Sequence, residues 1–409
     1  MTDEAAYGAV KIICYLNRLM KMQFSLCVLS VFLIGTTSVF AQKPEHQISF
    51  ARESKPHSYY VKQAELWSKE LAKDSTSEDS WYNFFRACRN AYGSANWKSD
   101  FINESPALRT GPDILQAMQR HIPNSFTYNY LTYLEGGIIP SQAPYLLKAY
   151  SMNPDFEGIC SSMVSYAISI NNDSLRKAVN KNWYPKNEIA SGLLMYAYNV
   201  LMSVDSNGIL FTQSDNDTYP LYMLQDALGI RTDVTVINID FLLIDSYRTA
   251  FFTKMDIPPL EITANPDIYE SNWEKVLGQC LKFYKKKAPL YLAMTLNQPL
   301  YQAYEKNLTV SGLTYRFAAT PPDLTLWNNH LYTNVFLLDT IRHPLVVEQN
   351  QANVDRQNLN YIDFFKTVYG DSLRSKRTVQ AQEVKDLAIT LVARMGHPDW
   401  DQQVKNEFK

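Results

Sequence analysis

Residues 208–243 read GILFTQSDNDTYPLYMLQDALGIRTDVTVINIDFLL, and three elements follow one another within them. GILFTQ is a short apolar run of the buried-strand type. PLYMLQDALG reads as a helix opened by Pro220 at its first position and closed by Gly229. DVTVINIDFLL is a second strand, rich in β-branching at Val234, Val236 and Ile237. Strand, helix and strand within about thirty residues make a right-handed βαβ unit, which predicts a parallel sheet.

Working outward from there, YESNWEKVLGQCLKFYKKK from residue 269 is an amphipathic helix, and APLYLAMT from residue 288 is a third strand. A small three-layer, Rossmann-like unit is the economical reading of 206–296. NLTVSGLTYRFAA, 307–319, adds a β-element to that sheet. NVFLLDTIRHPLVV fits either strand or helix, while NYIDFFKTVYG and AQEVKDLAITLVARMG are closing helices, the last ending on Gly396.

Upstream of the turn Asp205-Ser206-Asn207-Gly208 the text is helical. TYNYLTYLEGG, ICSSMVSYAIS and LLMYAYNVLMS begin at 127, 159 and 193, close to the period of tetratricopeptide helix pairs. SEDSWYNFFRACRNAY opens on Ser77, a helix-capping residue, followed by first-turn acids. An irregular helical bundle would produce nearly the same pattern. The expected fold class is therefore α/β with an all-α part. A tetratricopeptide-like helical region covers 42–204, a Rossmann-like α/β domain 205–325, and a C-terminal helical extension 326–409.

Residues 24–34, FSLCVLSVFLI, follow Lys21 and precede small polar residues and Val39-Phe40-Ala41. This is the layout of a secretory signal peptide cleaved near Ala41, with residues 1–19 an upstream extension of the reading frame. The run is short for a bilayer span, and no later segment is long and apolar enough to cross a membrane. The expected mature chain of 368 residues carries 36 Lys and Arg against 39 Asp and Glu, which offers no electrostatic case for nucleic acid. Its three cysteines, Cys88, Cys160 and Cys280, are widely spaced among apolar residues. They read as buried small hydrophobes and fit neither a disulfide framework nor a metal site. An exported protein of the periplasm or cell envelope is expected.

The loop Ser214-Asp215-Asn216-Asp217-Thr218-Tyr219 is the candidate site. Ligands of open parallel sheets meet the carboxyl ends of strands, where helix N-termini point. Its hydroxyl, amide and backbone N–H groups suit an anion or a polyhydroxyl ligand. Asp215 and Asp217 are also the donor type of a hard divalent cation. The same residue types cap helices and stabilise turns without any ligand. The spacing matches no phosphatase Asp-x-Asp-x-Thr loop, no G-x-G-x-x-G and no G-x-S-x-G. Capping, ligand binding and catalysis all stay open at this point, and no cofactor is implied.

The run ILFTQSDNDTYPLYMLQDALGIRTDVTVIN resembles the GDNDTYPLWYLQEVEGVRTDVRVVN stretch of bacterial O-mannosyltransferase-like membrane proteins. APLYLAMT and LTVSGLTYRF are similar to that family's later RPIYFA and L.GLAYRL segments, in the same order. The likeness covers about 205–370, the soluble part that follows the family's membrane helices. The Ser58–Arg89 stretch resembles repeat-bearing secreted proteins of Bacteroidetes. Two departures stand out. Ser214 replaces the family's usual Gly, and Asp245-Ser246-Tyr247 follows the family's aromatic counterpart only loosely. The family's multi-pass membrane portion, which would hold the transferase chemistry, has no counterpart here. The resemblance therefore implies an accessory soluble module without transferase activity. It would bind a glycan, or hold a protein partner on its helical repeats, in the service of protein O-glycosylation. The competing expectation is an enzyme acting on a sugar or phosphoester through Asp215 and Asp217.

Overall fold

The computed structural model describes residues 43–49, 52–96, 101–263, 269–343, 345, 347–348 and 350–409. The expected signal peptide and its cleavage position lie outside these residues. Residues 43–46 form no helix or strand, and residues 47–409 make one compact unit.

Eight helices come first: α1 (His57–Lys73), α2 (Glu78–Ser94), α3 (Gly111–His121), α4 (Phe126–Gly136), α5 (Ala143–Met152), α6 (Ile159–Ser169), α7 (Asp173–Trp183) and α8 (Ser191–Met202). Their starts are set locally. Side chains of Ser77, Thr110, Ser125 and Asn172 each accept a hydrogen bond from a backbone N–H in the first turn of α2, α3, α4 and α7. Such a cap satisfies a donor that the helix itself cannot pair, at a gain of about 1 kcal/mol. Neighbours in sequence pack on one another, α1 on α2, α4 on α5 and α6 on α7. Phe156, in the α5–α6 connection, gathers Tyr82, Phe126 and Tyr130 around its ring at centroid distances of 5.0, 4.6 and 5.6 Å.

The α/β part follows as β1 (Ile209–Thr212), α9 (Asp215–Leu228), β2 (Thr235–Asn238), α10 (Asp245–Met255), α11 (Tyr269–Phe283), β3 (Leu290–Ala293), β4 (Leu308–Ser311) and β5 (Thr314–Phe317). The strand order is β2-β1-β3-β5-β4. β1 lies parallel to both β2 and β3, pairing Leu210 with Val236 and with Tyr291. The hairpin β4–β5 joins antiparallel to β3, so the sheet is mixed rather than purely parallel. All four residues of β1 and of β3 are buried, the pattern of strands covered on both faces. Gly312, in the hairpin turn, has φ +59°, and a Cβ there would overlap the Ser203 side chain.

The chain closes with α12 (Thr325–His330), a π-helical turn over Leu331–Val335, α13 (Asp339–Arg342), α14 (Gln351–Asn358), α15 (Tyr361–Arg374), α16 (Thr378–Met395) and α17 (Pro398–Glu407). This makes seventeen α-helices among the described residues and a mostly helical α/β fold. The ambiguous stretch after residue 333 is helical where it is described, apart from connecting loops. Cys88, Cys160 and Cys280 are buried free thiols, as their apolar surroundings suggested.

Helix α9 departs from expectation at its start. It begins at Asp215, five residues before Pro220, which lies inside the helix. As the sixth residue, proline there leaves one carbonyl, that of Asn216, without its helical N–H donor. The other end behaves as read: Gly229 adopts φ +69° and its N–H bonds back to Gln225 and Leu224.

Candidate functional site

The chain passes from β1 to β2 on one side and then to β3 on the other, so β1 and β3 flank a reversal of strand order. At the carboxyl ends of such a pair a crevice opens between diverging connections. The loop after β1 enters that region. Ser214 takes φ +66° and ψ 172°, a conformation that L-residues rarely adopt, and makes no side-chain cap. Its backbone N–H donates to Asp240 Oδ2 at 2.8 Å. Asp240, just past β2, is itself anchored by its N–H to Asn238 Oδ1 at 2.7 Å.

The helix geometry then sorts the candidate residues. Asp215 and Asp217 stand two apart, about 200° around a helix, and point to different sides. Asp217 turns inward: its Oδ2 accepts the Gln213 N–H at 3.0 Å, and its Oδ1 is buried with no hydrogen-bond partner. Burial pushes its pKa up to about 7, against the pull of the nearby Thr295 hydroxyl and the Gln213 N–H. Thr295 Oγ1, past the end of β3, also lacks a partner. Thr218 is fully buried, its hydroxyl shared between Thr212 Oγ1 at 2.8 Å and Asn238 Nδ2 at 2.9 Å. It ties α9 to β1 and β2.

Asp215, Asn216 and Tyr219 turn the other way and line a cavity of about 380 Å³ between this loop and the helices before it. Asp215 is exposed and lines the cavity, with Tyr219 and Asp240 near its carboxyl. Partial desolvation of the carboxyl raises its pKa, Tyr219 restrains the rise, and the Asp240 charge adds to it. The Tyr219 hydroxyl bonds Ser165 Oγ of α6 at 2.5 Å. On the helical side the lining includes Arg86, Arg89, Tyr130, Ser162, Trp183 and Glu188. Glu188 Oε2 accepts the Gly158 N–H and the Trp183 Nε1–H, both at 3.0 Å.

The six candidate residues thus divide three ways. Ser214 shapes the backbone, Asp217 and Thr218 lock the helix to the sheet, and Asp215, Asn216 and Tyr219 face the cavity. Sequence reading missed Asp240, although its place after β2 follows from the same strand-end rule. It also missed the helical wall, whose one local sign was Arg86 standing alone in the apolar run WYNFFRAC. Among the described residues, no group of three or more His, Cys, Asp or Glu side chains is arranged to hold a metal ion. No described helix is long and apolar enough to cross a membrane.

The family model of TMEM260-associated domain 2 matches residues 194–287, from within α8 through β1, α9, β2 and α10 to just past α11. That family relates to membrane proteins with O-mannosyltransferase-like features. No curated protein and no solved structure matches the chain.

Proposed function

We propose that this is an exported, non-catalytic binding protein of the bacterial cell envelope, accessory to protein O-glycosylation, whose cavity beside the 214–219 loop takes a saccharide. One observation carries the reading. The cavity combines aromatic walls (Tyr130, Trp183, Tyr219), serine hydroxyls and carboxylates (Asp215, Glu188) in about 380 Å³. Aromatic faces cover the apolar side of a sugar ring while the polar groups take its hydroxyls, and the volume suits one ring with a substituent. The match to TMEM260-associated domain 2 over the loop supports a glycan-related role. The N-terminal helices are read as a tetratricopeptide-like scaffold for a protein partner, since α4, α6 and α8 start at 126, 159 and 191. The α/β part is read as Rossmann-like.

Calorimetric titration with a panel of hexoses and short oligosaccharides tests this. Asp215→Ala should weaken binding at least tenfold with an unchanged circular-dichroism spectrum. Affinity indifferent to Asp215→Ala would remove the cavity from the reading.

A second reading, an enzyme acting on a sugar or phosphoester, has one observation in its favour. Asp217 has its pKa raised to about 7, in the range of a general acid or base. Asp215 and Asp217 face different sides of α9, so they would not act as a pair on one substrate. Turnover of a nitrophenyl glycoside or phosphate that is lost in Asp217→Asn would favour this second reading.

A further inference from the structure

Arg86, on α2, is only 8% exposed, yet it lines the cavity. Its Nε donates to the Tyr82 hydroxyl at 3.3 Å, its guanidinium lies 5.5 Å from the centre of the Tyr82 ring, and the Tyr130 hydroxyl also attends it. None of these partners carries a formal negative charge. Arg52 and Arg89, which line the same cavity, are each satisfied by a carboxylate. Arg52 pairs with Glu157, and Arg89 with Glu135 at 3.1 Å while also donating to the Leu134 carbonyl. Among the described residues no carboxylate forms an ion pair with Arg86.

A guanidinium stays charged in a protein, and a buried charge without a counterion is costly. It persists where something outside the fold supplies the missing anion. The planar fork of donors suits a carboxylate or phosphate. The rest of the cavity sets the ligand's orientation. Asp215 and Glu188 repel an anion from their part of the wall and accept from hydroxyl groups, and Ser161, Ser162 and Ser165 of α6 offer hydroxyls.

We propose that Arg86 forms an oxyanion subsite, and that the ligand is an acidic saccharide: a hydroxylated ring bearing a carboxylate or a phosphate. This rests on the saccharide reading of the cavity given above and narrows it. It makes no claim of catalysis.

The test is calorimetric titration of the full mature chain with glucose, galactose and mannose. Each is compared with its uronic acid and its 6-phosphate, and inorganic phosphate is titrated alone. At least one acidic form should bind tenfold or more tightly than its neutral parent, and added salt should shrink that margin. The better of carboxylate and phosphate identifies the anion. Arg86→Met should abolish the margin while leaving the melting temperature of the ligand-free protein equal or higher, since it removes a buried charge that lacks a counterion. Equal affinity for neutral and acidic forms overturns the subsite and leaves the saccharide reading standing. Inorganic phosphate binding as tightly as the sugar phosphates, with no neutral sugar binding, overturns the saccharide reading instead. Absence of binding by every probe overturns both. Should Arg86→Met not fold, the wild-type margin together with its reduction in Arg86→Lys, which keeps the charge and removes the planar fork, decides the matter.

Discussion

The backbone N–H of Gln213 donates to Asp217 Oδ2 across 3.0 Å, while Asp217 Oδ1, on the same buried carboxyl, has no hydrogen-bond partner. One oxygen holds the strand-to-helix turn in shape, and the other is taken out of water with only the nearby Thr295 hydroxyl to offset the loss. Burial is why this pKa rises from 3.8 to about 7.

The sign of the pH effect follows from the higher pKa in the folded state, which binds the proton more tightly than the unfolded chain. Stability due to this group is fully present below about pH 4, is lost as pH rises toward 7, and stays lost above it. The whole effect is on the order of 4 kcal/mol. Asp217→Asn keeps an acceptor for Gln213 and cannot ionise. It should flatten the loss relative to wild type and raise stability by about 1–3 kcal/mol at pH 8. Asp215 and Asp240, whose pKa values are also raised, leave a residual slope. Urea unfolding at pH 5 and pH 8 measures the difference; a variant less stable than wild type at pH 8 would contradict this account.

Ser214 sits at φ +66° and ψ 172°, a region open to glycine and strained for other residues by about 1–3 kcal/mol. Its N–H, rather than its side chain, makes the bond to Asp240. Ser214→Gly should therefore stabilise the protein, by about 1 kcal/mol after the added freedom of the unfolded chain is subtracted. A rise in melting temperature checks this, and a fall would mean the hydroxyl carries a contact that outweighs the strain.

Thr218→Val keeps the shape and removes the hydroxyl that joins Thr212 and Asn238. Thr212 Oγ1 and Asn238 Nδ2 each lose their shorter hydrogen bond and keep one to a carbonyl, of Ile237 and Ser214 respectively, at 3.4 Å, at a cost of about 2 kcal/mol. Thr218→Ser should cost about 1 kcal/mol, the value of a buried methyl group. Denaturant midpoints of the two variants should fall in that order. Equal losses would show that packing, not hydrogen bonding, is the role of Thr218.

How much of this was legible in the chain differs from element to element. Ser77 as a cap, Gly229 as a stop, the strands around Phe211, Ile237 and Leu292, and three buried thiols each depend on neighbours a few residues away. The β4–β5 hairpin was visible as a β-element, but its antiparallel joining to β3 was not. Pro220 was misread as the first residue of α9 because local preference places proline there. Contacts of Asp217 and Thr218 with the sheet outweigh that preference and start the helix at Asp215.

Residue order and local chemistry were enough to establish the alternation of strand and helix and the place of the SDNDTYP turn at a strand end. These rest on periodicity and caps, which act over one or two turns of chain. Which face each residue of the turn presents was settled by packing across long sequence separations. Tyr219 meets Ser165, Ser214 meets Asp240, and Asp215 shares a cavity wall with Arg86, more than a hundred residues earlier. Burial that perturbs a carboxyl or leaves an arginine without a counterion is a property of three-dimensional surroundings, and no local pattern encodes it.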